Sequence, residues 1–514
     1  MDYKTDTEEN FEESIVKLPK IDDVELKVFQ DFMKTCLALR QSYEVTERLV
    51  EICKEHFTFY SIRSEICTEI WVYSEGIYVP FGKSTIRQFS RYMCGEKYKQ
   101  IYSDEVIIKI EADTFIDSQI FFNSKTPGLI PVKNGLLNLK TRKLEDYNSK
   151  YILFNKIPIT YDPKAKVVSI EKFFHDVAKD VKDVNTLYEM FGYCLYTDSF
   201  LEKAVMLLGS GRNGKTKLLT LLRKFLGEHN STEINLRRIE TDKFCINAMM
   251  NSLANLAGDI SKKRIEDSSM FKELVGRDKI STARKFKDDI EFTSYAKQIF
   301  ATNNLPQTDD ISDGFWTKWV LIQFPNKFVP QKEYERAIRG IPNDQQKYIK
   351  IMNPHIIREI VSEAEMSGLL NKALDGLDRL FKNKSFTSSN SSKEIEQLWI
   401  RESSSFAAFA LDCLQRKSNY YITADDMLNE YAQYCDLHSS VIEAPKEIAH
   451  TMSSLFSSSK DIKRLNESTE RMWVNVKFKN ELRADTNHKK TMFVSRAAEN
   501  VKEDDDNGCQ KILE

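Results

Sequence analysis

Ala204-Val-Met-Leu-Leu-Gly-Ser-Gly-Arg-Asn-Gly-Lys-Thr216 decides how this chain is read. Five apolar residues, Ala204 to Leu208, predict a buried strand, a glycine-rich run follows, and Lys217 to Leu226 continues at helical spacing. A strand, a tight glycine loop and a helix in that order make an anion cradle. Small residues let backbone N–H groups approach the anion, and the helix turns its positive end toward it. Gly209, Gly211 and Gly214 give that access within the loop Gly209, Ser210, Gly211, Arg212, Asn213, Gly214, Lys215, Thr216. Lys215 can then reach the β- and γ-phosphates of a triphosphate and the Thr216 hydroxyl can sit on a metal, so ATP and Mg²⁺ are the expected ligands.

Such a site needs an acid to hold the metal or polarise the attacking water, normally at the end of a buried strand. Asp259 closes the apolar run that starts at Leu253, and with Thr216 it is the candidate metal ligand; its other reading is a cap for the next helix. The run from Ile299 to Pro306 is another apolar strand ending in polar amides, of which Asn303 or Asn304 can bond the γ-phosphate or its water; Asn-Asn before Leu-Pro also makes an ordinary turn. With the apolar runs 253–257, 298–301 and 319–322, residues 204–324 alternate strand and helix, the pattern of an α/β sheet.

Upstream, Val24 to Cys53 has helical patterning, and Ile70 to Val79 and Ile130 to Leu139 read as strand pairs turning at Ser74-Glu-Gly76 and Asn134-Gly135. Phe173, Phe174, Val177, Leu187, Met190 and Phe191 predict two helices broken at 180–185. Downstream, 349–380 reads as helical, and five serines in the eight residues 385–392 mark a linker. Helices at 406–414 and 424–434 precede a strand, 472–478, in which Val474, Val476 and Phe478 alternate with Trp473, Asn475 and Lys477; helices followed by strands resemble a winged helix. The acidic tail, with Glu503 to Asp506, is expected to be disordered.

At 514 residues with 41% hydrophobic and 30% charged residues, the chain is expected to be multidomain and globular. A net charge of −2 excludes a uniformly basic surface, so any nucleic acid must be met by local clusters such as Arg284, Lys285, Phe286 and Lys287. Read alone, that run is a solvated face. The nine cysteines form no Cys-x-x-Cys pair, which argues against a zinc site or disulfide framework. An acidic start and the lack of a long apolar run predict a cytoplasmic protein with no membrane partner.

The phosphate loop, Asp259, Phe271 to Asp278, Arg284 to Lys287, Phe300 to Pro306 and Asp313-Gly-Phe-Trp316, in that order, resemble superfamily-three helicases of the poxvirus, phage and archaeal-plasmid primase-helicase type. The resemblance runs from about Ile130 through Leu380 and includes Tyr161-Asp-Pro163, Phe191-Gly-Tyr193 and Gly368-Leu-Leu-Asn371. It implies an α/β, AAA+ P-loop motor of a virus, plasmid or integrated element. Subunits of such motors assemble as a ring, usually a homo-hexamer, with ATP between neighbours and a basic, aromatic hairpin gripping one DNA strand. Arg284, Lys285, Phe286 and Lys287 match that hairpin. Where the family carries an arginine that reaches the neighbour's ATP, this chain has Lys318; Arg277 and Arg264 are the alternatives.

The expected organisation is a mixed α+β N-terminal region (1–129), a linker with a helical collar (130–200), the motor (201–330), its helical extension (331–384), a winged-helix-like domain (393–480) and the tail (481–514). The stretch before Ile130 has too little room for a polymerase-like primase domain, so the chain reads as a helicase, with a primase on a separate chain as a compatible partner. The expected function is replicative unwinding, with Lys215, Asp259, Asn303 and Lys318 catalytic and single-stranded and forked DNA as partners. Two alternatives are a nucleic-acid-dependent ATPase that remodels without unwinding and an ATP-switched initiator that binds origin DNA.

Overall fold

Apolar runs of four to six residues alternating with helices can bury both faces only in a parallel sheet covered on each side. In the computed structural model, which describes residues 16–63, 68–124, 126–258, 260, 263–284, 287–310, 312–388, 390–438, 440–456, 460–465 and 468–479, residues 204–323 build that sheet. Its five strands are ordered Trp319–Gln323, Ala204–Leu208, Lys297–Thr302, Ala254–Ala257, Ser231–Thr232. Every neighbouring pair is parallel. The strands Ala204–Leu208, Ala254–Ala257 and Lys297–Thr302 are buried at every residue, which is why their sequences show no alternation. Two polar intruders satisfy each other: Asn255 Nδ2 donates to Gln298 Oε1 at 3.0 Å, and Asn255 Oδ1 accepts from Ile234 N at 2.7 Å.

The chain forms two compact units, one of residues 1–261, 265–303 and 312–390, the other of residues 262–264, 304–311 and 391–514. In the first, a single apolar core runs through Ile130, Phe174, Leu187, Val205, Leu222, Ile299 and Leu374. The linker, the collar, the sheet and the following helices therefore share one interior. The collar helices are Ser169–Val177 and Val181–Leu195. Their break falls at 178–180 and not over 180–185, because the Asp180 side chain accepts from Lys182 N and Asp183 N and starts the second helix early. The first helix has Val168 at its cap; the Glu365 carboxylate, 195–197 residues away, accepts from Val168 N, Ser169 N and Ile170 N instead.

Helix Val181–Leu195 crosses Glu363–Asn383 at backbone contact. A Cβ on Gly192 would lie 2.1 Å from the Ala373 carbonyl oxygen, and one on Gly376 would lie 2.7 Å from that of Tyr188. The stretch 349–380 is not all helix. Ile349–Ile351 pairs in parallel with Lys327–Val329, since β-branched Ile349 and Ile351 suit an extended edge, and helix returns at Ile356–Ile360.

The N-terminal region folds as expected into α+β. Helices Asp23–Ala38, Ser42–His56, Gly82–Cys94 and Gln100–Asp113 supply a core with Phe29, Leu49, Phe89 and Val106. Beside them lies a four-stranded sheet whose turn at Glu75-Gly76 uses positive φ at both residues, 45° and 101°. In the second unit the order is helices Ser392–Ser403 and Ser405–Cys413, strand Leu414–Thr423, helices Ala424–Leu437 and Pro445–Phe456, then strands Lys460–Leu465 and Ser468–Phe478. The last strand lies in the middle of an antiparallel sheet. The alternation expected along it breaks at Asn475, whose φ of 59° goes with a register shift against the first strand. Trp473 and Val476 are consequently both buried. The expected tail, 481–514, lies outside the described residues. Among the described residues no helix is long and apolar enough to cross a membrane.

The crossing sets a stability test. Gly192→Ala drives a methyl into the Ala373 carbonyl, so the two helices must separate; a loss of about 1–3 kcal/mol is expected for such overpacking and is read by denaturant unfolding. A parental midpoint and slope would show that the helices meet elsewhere.

Candidate functional site

The phosphate loop starts where strand Ala204–Leu208 ends and finishes at helix Lys215–Leu226, two residues earlier than the apolar pattern suggests. Two glycines are required. Gly214 stands at the helix cap with φ +94°, and a Cβ on Gly209 would lie 2.5 Å from the Phe324 carbonyl oxygen. With glycine as its cap, the helix has no capping side chain of its own, and Lys215 N makes a long contact, 3.5 Å, to Asn213 Oδ1, an arrangement that suits an anion. Phe328 N donates to Arg212 O at 2.7 Å and pins the outside of the loop. Gly211 has open space where a Cβ would be.

Lys215 is 7% exposed. Its ammonium donates to Gly209 O at 2.5 Å, Ser210 O at 3.3 Å, Asn213 Oδ1 at 3.1 Å and Asn303 Oδ1 at 2.9 Å. The bond to Asn303 follows from register. Leu208 pairs with Thr302 in parallel, so the residues after them, Gly209 and Asn303, leave the sheet side by side. Buried Asn213 braces the loop from within, its Nδ2 3.4 Å from Phe324 O. Thr216 is exposed on the first helical turn. Asp259 lies outside the described residues; the strand it follows, Ala254–Ala257, borders Lys297–Thr302 on the side away from the loop strand.

A second cluster of charge occupies the other end of the same strands. Lys318 O accepts from Ala204 N at 2.7 Å, so Lys318 precedes the strand pair at the end opposite to the loop. Five strand residues separate the two ends, a span of ~17 Å at 3.3 Å per residue. Lys318 Nζ is 2.6 Å from Glu202 Oε2, its side chain 16% exposed. Arg277, at φ 67°, bonds Asp198 Oδ2 at 2.6 Å and its side chain is 44% exposed. Burial, with Lys318 nearby, pushes Lys203 below the usual lysine range. Arg264 belongs to the second unit, where it pairs with Asp309 and Glu447, each at 2.8 Å. The sequence reading missed the counter-ions Glu202 and Asp198; acids just ahead of a buried strand were the available signal.

The basic run lies at the turn of an antiparallel hairpin, Lys279–Arg284 with Lys287–Thr293. Arg284 and Lys287 are Cα partners across it, and Lys285 and Phe286 lie outside the described residues. Ile280, Thr282, Ile290 and Phe292 are buried, while Ser281, Asp289 and Glu291 are exposed, so the hairpin is seated on one face.

The family described as "D5 N terminal like" matches residues 47–179, and a family of unknown function, DUF5906, matches 207–314. A protein named as a helicase in Acanthamoeba polyphaga mimivirus is 25% identical over 258 residues, 46% of this chain and 26% of the relative. One named as a primase in African swine fever virus is 25% identical over 252 residues, 44% of this chain and 26% of the relative. The chain spans about a quarter of the length of these curated relatives. A solved structure of the NrS-1 C-terminal region matches with a TM-score of 0.42 and 12% identity, over 83% of this chain and 98% of that one. The resemblance to viral primase-helicases of superfamily three holds.

Lys297, at the start of the strand that ends beside Lys215, supplies an electrostatic test. Burial pulls its pKa down to about 7, although Tyr196 O at 2.9 Å, Tyr295 O at 2.6 Å and the Tyr193 ring at 4.6 Å all face the ammonium. Between pH 7 and the ordinary lysine value near 10.4 the unfolded chain holds the proton that the folded chain has released, so this group makes stability rise with pH. Lys297→Met is expected to lack that rise when unfolding temperatures are followed from pH 7 to 10. Parallel wild-type and variant curves would show that Lys297 titrates normally.

Proposed function

We propose that this chain is an ATP-dependent DNA helicase motor of the AAA+, superfamily-three type, working as a ring, usually a hexamer, on single-stranded and forked DNA during replication. The observation that carries the reading is the Lys215 ammonium within 2.9 Å of Asn303 Oδ1, at the mouth of a glycine loop between a buried strand and a helix. The order 319–323, 204–208, 297–302, 254–257, 231–232 supports it further, since the loop strand lies inside the sheet with a strand on each side to bring polar groups to the loop.

In this reading, the backbone N–H groups of Gly209 to Gly214 and the first turn of the helix bind the phosphates of ATP. Lys215 neutralises charge that develops on the transferring phosphoryl group, and Asn303 orients Lys215 and the attacking water. Thr216 and Asp259 are the residues that would hold Mg²⁺, which when bound would offset charge on the phosphates. Lys318 and Arg277 stand at the opposite end of their own sheet, so the ATP within their reach is a neighbouring subunit's. Arg284, Lys285, Phe286 and Lys287 grip a DNA strand through phosphate charge and base stacking.

The second unit favours a second reading. Its order of two helices, strand, two helices and two strands, with the last strand central, supports a winged-helix reading, and an initiator holding origin duplex through it, with ATP as an assembly switch, is the alternative. Footprints on candidate origin DNA that depend on ATP, without strand separation, would favour that alternative.

Strand displacement on forks with a 3′ or a 5′ tail tests the main reading. The protein is expected to unwind one of the two with ATP, and Lys215→Ala to lose roughly 10²-fold or more in hydrolysis with its fold intact. Asn303→Ala is expected to lower hydrolysis more than ATP binding. Parental turnover by Lys215→Ala overturns the phosphate-loop reading.

The finger is tested by mixing. Lys318→Ala is expected to lower ATPase alone and to recover part of it when mixed with Lys215→Ala, because intact composite sites then form. A finger in trans contributes about 10³- to 10⁵-fold in GTPases, and a lysine, lacking the planar fork of donors, is expected to give less. If Lys318→Ala assembles and hydrolyses ATP at the parental rate, Arg277 and then Arg264 become the residues to test.

A further inference from the structure

The hairpin that carries the basic run is not held by the motor alone. Its second strand, Lys287–Thr293, has one buried aliphatic side chain, Ile290, which is 1% exposed and joins a cluster built by the N-terminal region. Ile62, Tyr78, Phe121, Phe122 and Ile152 complete that cluster. Ile290 is thus an apolar plug from the hairpin in an aromatic socket made mostly by residues 62–152.

Beside the plug, one side chain copies the edge of a strand. Asn123 follows the short helix Ser118–Phe122, and its Nδ2 donates to Glu291 O at 3.1 Å while its Oδ1 accepts from Thr293 N at 3.4 Å. A carboxamide has one donor face and one acceptor face, so a single asparagine can take up the backbone carbonyl of one residue and the N–H of the second residue after it. Those two groups belong to the hairpin strand's outer edge, the side not paired to Lys279–Arg284. Asn123 Nδ2 also meets Gln119 Oε1 at 3.0 Å, which fixes the amide's orientation on its own helix.

We propose that the N-terminal α+β region is a brace for the DNA-gripping hairpin, with Asn123 and Ile290 as positioning residues. The proposal rests on the reading of Arg284 to Lys287 as the DNA grip. The hairpin's root is clamped at two points: Ile290 enters the socket, and the Asn123 amide meets its free edge. Loosening the root disperses the positions of the cations at the turn, and phosphate contacts that must be made together are then made less often. The brace acts on the hairpin, four to eight residues from the turn, and makes no contact with the phosphate loop; its effect belongs to DNA binding and not to basal hydrolysis.

The full chain is assayed as Asn123→Ala, as Ile290→Val, which trims the plug by one methylene, and as Lys285→Ala with Lys287→Ala. The readouts are the single-stranded DNA concentration that half-saturates ATPase stimulation, the ATPase rate without DNA, and the unfolding temperature. Asn123→Ala is expected to raise the half-saturating concentration roughly 5-fold, the scale of about one net hydrogen bond, with basal ATPase at the parental value and an unfolding temperature lowered by no more than the loss of its two hydrogen bonds entails. Ile290→Val is expected to act in the same direction. Added to the Lys285→Ala, Lys287→Ala pair, Asn123→Ala is expected to do nothing more, because the brace works through those cations. A parental half-saturating concentration for Asn123→Ala, with the lysine pair clearly impaired, overturns the brace and leaves the hairpin reading standing. A fall in basal ATPase in step with DNA affinity also overturns it, as that marks a structural residue only. If the lysine pair itself binds DNA at parental strength, the hairpin reading fails and the brace falls with it.

Discussion

The parallel pairing of Ala204–Leu208 with Lys297–Thr302 is the constraint on which the candidate site depends. A parallel register sends two chains out of the same edge of a sheet at the same level, and here the residues that emerge are Gly209 and Asn303. Lys215, six residues past Gly209, is carried back over that edge by the glycine loop and the first turn of the helix, so that its ammonium reaches the Asn303 amide. A slip of one residue in this pairing would offset Asn303 from Gly209 and part its amide from the Lys215 ammonium.

What keeps those strands buried is a core that extends beyond the sheet. Collar helix and later helix close over it through Gly192 and Gly376, where backbone meets backbone, and Glu365 supplies the cap that Val168 cannot. Residues nearly two hundred positions apart are therefore tied at the level of single hydrogen bonds. The glycine at 192 and the motif around Gly368 are packing residues in this arrangement, which gives the family-like patterns around them a physical reason.

Charge is distributed by pairing. Three of the basic residues away from the loop sit on specific acids: Lys318 on Glu202, Arg277 on Asp198, Arg264 on Asp309 and Glu447. The more exposed of the two first-unit cations is Arg277, the more buried is Lys318.

The sequence by itself determined the strand, glycine loop and helix at 204–226, the α/β alternation, the collar's apolar stripe and the α+β character of the N-terminal region. Each of these is written in local spacing: periods of 3.6, unbroken apolar runs, and glycines where a backbone must turn or be approached. Tertiary structure alone decided the order of the five strands, the choice of Asn303 as the amide that meets Lys215, and the counter-ions Glu202 and Asp198. It also decided the strand at 349–351, whose β-branched residues were read as helix until a partner at 327–329 gave them an edge, and the bulge at Asn475 that puts Trp473 and Val476 on one face. The socket for Ile290 was equally invisible, since its walls come from residues 62 to 152. The division has one physical cause: a side chain's propensity and the period of its neighbours act over a few residues, whereas register, ion pairing and shared burial are fixed by which distant segments meet in the folded chain.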